Sequence, residues 1–190
     1  HTITLLTDVT NGGGVVIESG RNLIIDFDSH TYTVTHDPAG SPGSENQCFQ
    51  LLRNSTITMK NGAVVADSMI LQYLIQNYAN LTLENMTLDA TQKTNSVSYV
   101  LSNNCGNVVL TGDTNITAEA DGVAFDVYYW PAGGYGEGVS VTLDENMTGT
   151  IRGTVEYAAD RTATGIDLSQ KANLTILAGT LEGQISTSVT

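Results

Sequence analysis

The chain has 190 residues, enough for one sizeable domain, and carries 7 Lys plus Arg against 20 Asp plus Glu, a formal net charge of −13. A surface this acidic repels phosphate backbones, which argues against nucleic-acid binding. No run reaches the about 18 consecutive apolar residues that a membrane-spanning helix needs, so no membrane insertion is expected. Thr, Asn, Gly and Val are abundant while strong helix formers are scarce, so the sequence predicts strands and corners with little or no helix.

Residues 1–10 (HTITLLTDVT) read as a strand that opens a stack. Val15/Ile17 and Leu23-Ile24-Ile25 follow, separated by a corner that ends in Asn22. Residues 35–47 (THDPAGSPGSENQ) form a Pro/Gly/Ser loop carrying His36, Asp37 and Glu45 as solvated residues, and His30 beside Tyr32 reads as a turn residue. Phe49/Leu51 and Ile57-Thr58-Met59 come next. Tyr73 to Ala90 then shows one whole unit of three short runs, Tyr73-Leu74-Ile75, Leu81-Thr82-Leu83 and Met86-Thr87-Leu88. Large apolar residues alternate with others in each run, the period of a strand with one buried face, and the corners are too short for a helix. After a joint at 91–98 the first and second runs return as Tyr99/Leu101 and Val108-Val109-Leu110. They return again as Phe125/Val127 and Val141-Thr142-Leu143, and as Ile166/Leu168 and Leu174-Thr175-Ile176, across joints at 118–122, 128–139 and 156–165.

The second runs recur at spacings of 24 to 34 residues, a regular core with variable joints, which is the mark of a solenoid. Aligning the first runs puts Phe49, Tyr73, Tyr99 and Phe125 at one position, which predicts an aromatic column with rings about 5 Å apart along the axis. Asn22, Asn80, Asn107 and Asn173 each stand one residue before a second run, where Asn tolerates a left-handed corner and can bond the Asn of the next coil. Three strands per coil with Asn stacked at one tight corner resemble the right-handed parallel β-helix of the pectate-lyase-like superfamily, over nearly the whole chain. That resemblance implies an all-β fold of six to seven coils, one domain over residues 1–190, of the kind found in bacterial surface proteins and adhesins. It also implies a secreted or cell-surface location. Neither end shows an amphipathic capping helix, so flanking domains of a longer surface protein are expected.

Cys48 and Cys105 fall two coils apart, roughly 10 Å, beyond the reach of a disulfide, and read as buried free thiols. Sequons occur at Asn54, Asn80, Asn85, Asn115, Asn146 and Asn173. A corner Asn, an inward apolar residue and an outward Thr spell that motif without any glycosylation. The outward Thr file of Thr58, Thr82, Thr142 and Thr175 is explained by ordinary β-propensity rather than by ice binding.

Two places could carry function. The joint at 128–139 (YYWPAGGYGEGV) is about eight residues longer than the tight corner it replaces and holds Tyr129, the single Trp130 and Tyr135. Exposed rings rimmed by polar residues would suit the stacked face of a sugar or a protein hot spot. Alternatively the loop folds back over the outward face of Leu74 and Val100. The second place is a carboxylate pair. The repeat alignment puts Asp126 and Asp167 on adjacent coils about 5 Å apart, where one carboxyl would hold its proton or a cation such as calcium would sit between them. Such a pair is the equipment of glycoside hydrolysis. The Asp-Asp, Gly-His-Gly and Arg-x-Lys pattern of polygalacturonase-like members is missing, as is the basic proton abstractor of pectate lyases. The sequence therefore points to a non-enzymatic extracellular module of a bacterial surface protein or adhesin, without a resident cofactor, that meets a glycan or a protein through its aromatic loop. The alternative is a carbohydrate-active enzyme, glycoside hydrolase or polysaccharide lyase, using Asp126 and Asp167.

Overall fold

The computed structural model describes residues 1–67, 71–91, 97–129, 138–157 and 172–187, with the backbone alone of 162–163 and 166–167. The chain folds as an all-β parallel solenoid, with no helix among the described residues. Its strands are β1 (Thr2–Thr4), β2 (Val9–Gly13), β3 (Val15–Ile17), β4 (Asn22–Asp26), β5 (Thr31–His36), β6 (Gln47–Leu51), β7 (Thr56–Ala66), β8 (Tyr73–Asn77), β9 (Asn80–Asp89) and β10 (Tyr99–Asn103). They continue as β11 (Gly106–Thr111), β12 (Asn115–Thr117), β13 (Val123–Val127), β14 (Val139–Leu143), β15 (Thr150–Tyr157), β16 (Thr162–Ala163), β17 (Ile166–Asp167), β18 (Ala172–Ile176) and β19 (Thr180–Ser186). All pair in parallel within one continuous sheet except β16 and β17, which form a separate antiparallel pair.

Three lines of stacked strands build the coils. The second-run line is β1, β4, the first half of β7, the first half of β9, β11, β14 and β18. Its inward file runs Ile3, Ile25, Met59, Leu83, Leu110, Leu143, Ile176. The third-run line carries Val9, Tyr32, Val64, Leu88, Ile116, Ile151 and Leu181 in one file. The first-run line carries Val15, Phe49, Ile75, Leu101, Phe125, Val155 and Ile185. These files converge on one continuous apolar core. Long strands span two lines where the chain bends without a break, at Asn61 (φ 59) in β7 and at Gly153 (φ 128) in β15.

The second-run alignment read from the sequence matches this register throughout. The first-run alignment does not. Phe49 lies opposite Ile75, and Phe125 opposite Leu101, each two residues from the position that matching aromatics gave. The expected aromatic column is therefore two separate pairs. Tyr73 stacks on Tyr99 with centroids 5.8 Å apart, and Tyr32 meets Phe49 edge-on at 5.7 Å. The inward file is set by aliphatic packing in the core, and the tyrosines occupy the strand starts beside it. Of the expected Asn contacts, Asn107 Nδ2 donates to Asn80 Oδ1 at 3.0 Å, whereas Asn22 lies over Thr56 and Asn173 over Ser140.

Candidate functional site

The two-residue correction of register brings together side chains that the sequence alignment had kept apart. Gln50 lies opposite Gln76, Gln76 opposite Ser102, and Asp126 opposite Glu156, while Ser102 and Asp126 each follow the Leu101–Phe125 pair. Successive side chains of a strand alternate faces, so this polar file lies on the opposite face from the Phe49–Phe125 file. It shares its face with Cys48, Leu74, Val100 and Ala124, and every member of both sets is buried. From β6 to β15 the first-run sheet is thus covered on both sides. Leu74 and Val100 do not form an open outward face.

Asp126 and Glu156 sit one strand spacing apart, about 4.8 Å between backbones, and each is only 3% exposed. Asn103 N–H donates to Asp126 Oδ1 at 2.5 Å. The Tyr99 hydroxyl donates to Glu156 Oε2 at 3.0 Å. Burial pushes the Asp126 carboxyl up to about 7, with the Glu156 charge adding to the rise and the Asn103 and Ser102 hydrogen bonds opposing it. Burial also raises the Tyr73 hydroxyl, and the Asp126 charge raises it further. Gln76 Nε2 donates to Ser102 Oγ at 3.2 Å, which continues the polar file toward the pair. An Asn ladder runs alongside. Asn77 Nδ2 donates to Asn103 Oδ1 at 2.9 Å, and Asn103 Nδ2 donates to the Ser140 carbonyl at 3.2 Å. Both asparagines are fully buried.

Glu156 stands where the sequence alignment had placed Asp167. The reason is the continuity of β15, which turns through Gly153 from the third-run line straight into the first-run line. Asp167 pairs through its backbone with Thr162 in the small antiparallel sheet, and its side chain lies outside the described residues. Of the aromatic joint, Tyr129 is half-buried and packs against the core, while Trp130 and Tyr135 lie outside the described residues. No group of three or more His, Cys, Asp or Glu side chains converges among the described residues. Calcium takes six to eight oxygen ligands, so the Asp126–Glu156 pair alone does not make its cage. His30 takes the turn role expected of it, with Nδ1 3.3 Å from Asp8 Oδ1.

A second polar groove, of about 440 Å³, follows the corner between the second and third runs and is lined by Asp28, Asn61, Asn85 and Asp113, among others. Its amides are engaged with one another. Asn61 Nδ2 donates to Asp26 Oδ1 at 3.2 Å, and Asn85 Oδ1 accepts from Asp113 N–H at 2.9 Å. That pattern is a corner ladder and needs no ligand to complete it.

Compared with family models, curated proteins and solved structures, the chain matches none.

Proposed function

We propose that this chain is a non-catalytic, rigid solenoid module of an extracellular bacterial surface protein of the adhesin kind, and that a glycan or protein ligand meets it at the 128–139 joint. One observation carries the non-catalytic reading. The carboxyls at Asp126 and Glu156 are sealed from solvent, and both already hold hydrogen bonds to the scaffold. A glycosidase acid and nucleophile must instead reach a sugar from an open cleft. The polar file then has a structural role, satisfying buried groups where the sheet is covered on both faces.

One observation favours a second reading as a carbohydrate-active enzyme. An acid held protonated up to about 7, paired across one strand step with another carboxyl, suits proton donation to a leaving group. In that reading Asp126 is the acid and Glu156 its partner. Reducing-end release and retention on a panel of neutral and acidic polysaccharides separate the two. Retention without release, lost in Trp130→Ala, supports the binding module. Release that disappears in Asp126→Asn overturns it. Absence of both removes the glycan and leaves a protein as the partner to be sought.

A further inference from the structure

One buried residue touches both ends of the 128–139 joint. The Tyr128 N–H, where the joint begins, donates to the Asn103 carbonyl at 3.3 Å. The Ser140 carbonyl, just past the last residue of the joint, accepts from Asn103 Nδ2 at 3.2 Å. Asn103 is itself held from two further sides. Its N–H donates to Asp126 Oδ1 at 2.5 Å, and its Oδ1 accepts from Asn77 Nδ2 at 2.9 Å. The residue is fully buried, so these bonds stand in for its hydration.

The preceding coil shows what this arrangement replaces. Asn77 lies opposite Asn103 and closes its own corner, Tyr78-Ala79, between β8 and β9. Its Nδ2 donates to the Ala79 carbonyl at 2.9 Å, and its Oδ1 accepts from the Ala79 N–H at 3.1 Å. In the coil that carries the long joint, the position facing Asn103 is Val127, two residues past the Leu101–Phe125 pair. Valine has no side-chain amide with which to close a corner, and Asn103 supplies one from the coil before. An outer ladder also holds the second end. Ser140 Oγ donates to Asn107 Oδ1 at 2.7 Å, and Asn107 Nδ2 donates to Asn80 Oδ1 at 3.0 Å. That ladder reaches one end of the joint, whereas Asn103 bridges both.

Taking the joint as the segment that meets the ligand, we infer that Asn103 is its positioning residue, fixing the spacing and orientation of the two ends from which the joint projects. A ligand that engages the joint then meets a segment whose ends are preorganised, which lowers the ordering cost of binding.

Trp130 is the single tryptophan of the chain, so its fluorescence reports on the joint without any ligand. Steady-state anisotropy and acrylamide quenching are to be compared in the wild type, Asn103→Ala and Asn77→Ala. Asn103→Ala keeps the backbone bond to Tyr128 and removes the one to Ser140, which frees the second end. Asn77→Ala breaks the same ladder and its own corner while leaving both bonds of Asn103 to the joint in place. The anisotropy should fall and the quenching constant rise in Asn103→Ala, with Asn77→Ala at wild-type values. Asn103→Asp keeps the acceptor for Asn77 and loses the donor to Ser140, and it takes the place of Asn103→Ala if far-UV circular dichroism shows that variant unfolded. Wild-type fluorescence in the Asn103 variant overturns the inference. So does an equal change in both variants, the result of a purely structural role in the ladder. On any polysaccharide that retains the wild type, retention should be lost in Asn103→Ala and kept in Asn77→Ala, and unchanged retention of Asn103→Ala likewise overturns the positioning role. If no polysaccharide retains the wild type, the joint is not a glycan site, and the fluorescence still decides the role of Asn103.

Discussion

At Asp126 burial decides the protonation state. In the unfolded chain this carboxyl has its ordinary value of 3.8, and in the fold it holds its proton up to about 7. Between those limits the folded form binds more protons than the unfolded one, so this residue makes stability fall as pH rises from about 4 to about 7. Below that window its contribution is fully present, and above it the loss is complete. The full span is worth on the order of 4 kcal/mol. Asp8 and Asp26 are lowered by their hydrogen bonds, so their smaller effects act at more acidic pH and with the opposite sign. Urea unfolding at pH 4 to 8 should show the midpoint falling for the wild type and nearly constant for Asp126→Asn, with the variant the more stable at pH 8. An equal pH slope in both would show that Asp126 is ionised in the fold.

The cysteines give a second prediction at this scale. Burial pushes the Cys48 thiol up to about 12 and the Cys105 thiol up to about 11, and both side chains are buried. The thiolate is the reactive form, so neither should react with a thiol-disulfide reagent in the native protein, and both should react at once in denaturant. Rapid labelling of either native thiol would contradict the closed coil around it. These free thiols were readable from spacing alone, because a two-coil separation already exceeds disulfide reach. The Asp126–Glu156 pair was not readable, because Glu156 follows Gly153 in a stretch that resembles a joint.

Among the elements, the second-run line was legible because each copy repeats an alternating apolar pair behind a polar corner. The first-run line was misread at three steps, at two because aromatic identity was used to set a register that the aliphatic inward file determines, and at the last because Val155 of β15 rather than Ile166 lies opposite Phe125. What the sequence did not reveal is the buried Asn77–Asn103 ladder, since Asn77 and Asn103 lie at strand ends rather than directly before a second run. Asn103 satisfies Asn77 Nδ2 and the Ser140 carbonyl, so its side chain ties three neighbouring strands, β8, β10 and β14. Asn103→Ala removes the Oδ1 acceptor of the buried Asn77 Nδ2 and the donor to the half-buried Ser140 carbonyl. A loss of about 1 to 3 kcal/mol is expected, read as a lower urea midpoint at an unchanged slope. No measurable change would mean that water reaches the corner.

For the whole molecule, the geometry makes stability uneven along the axis. Each coil touches only its neighbours, so a terminal coil is held from one side and an inner coil from two. The burial pattern follows this. In β9 the inward residues Leu81, Leu83, Met86 and Leu88 are buried, whereas β19 is mostly exposed. Amides of β1, β2 and β19 should therefore exchange with deuterium well before those of β9 and β11, since local opening is easiest where few apolar contacts must be broken. Uniform protection would reject the gradient itself, and with it the view of the solenoid as a column of coils each stabilised only by its neighbours.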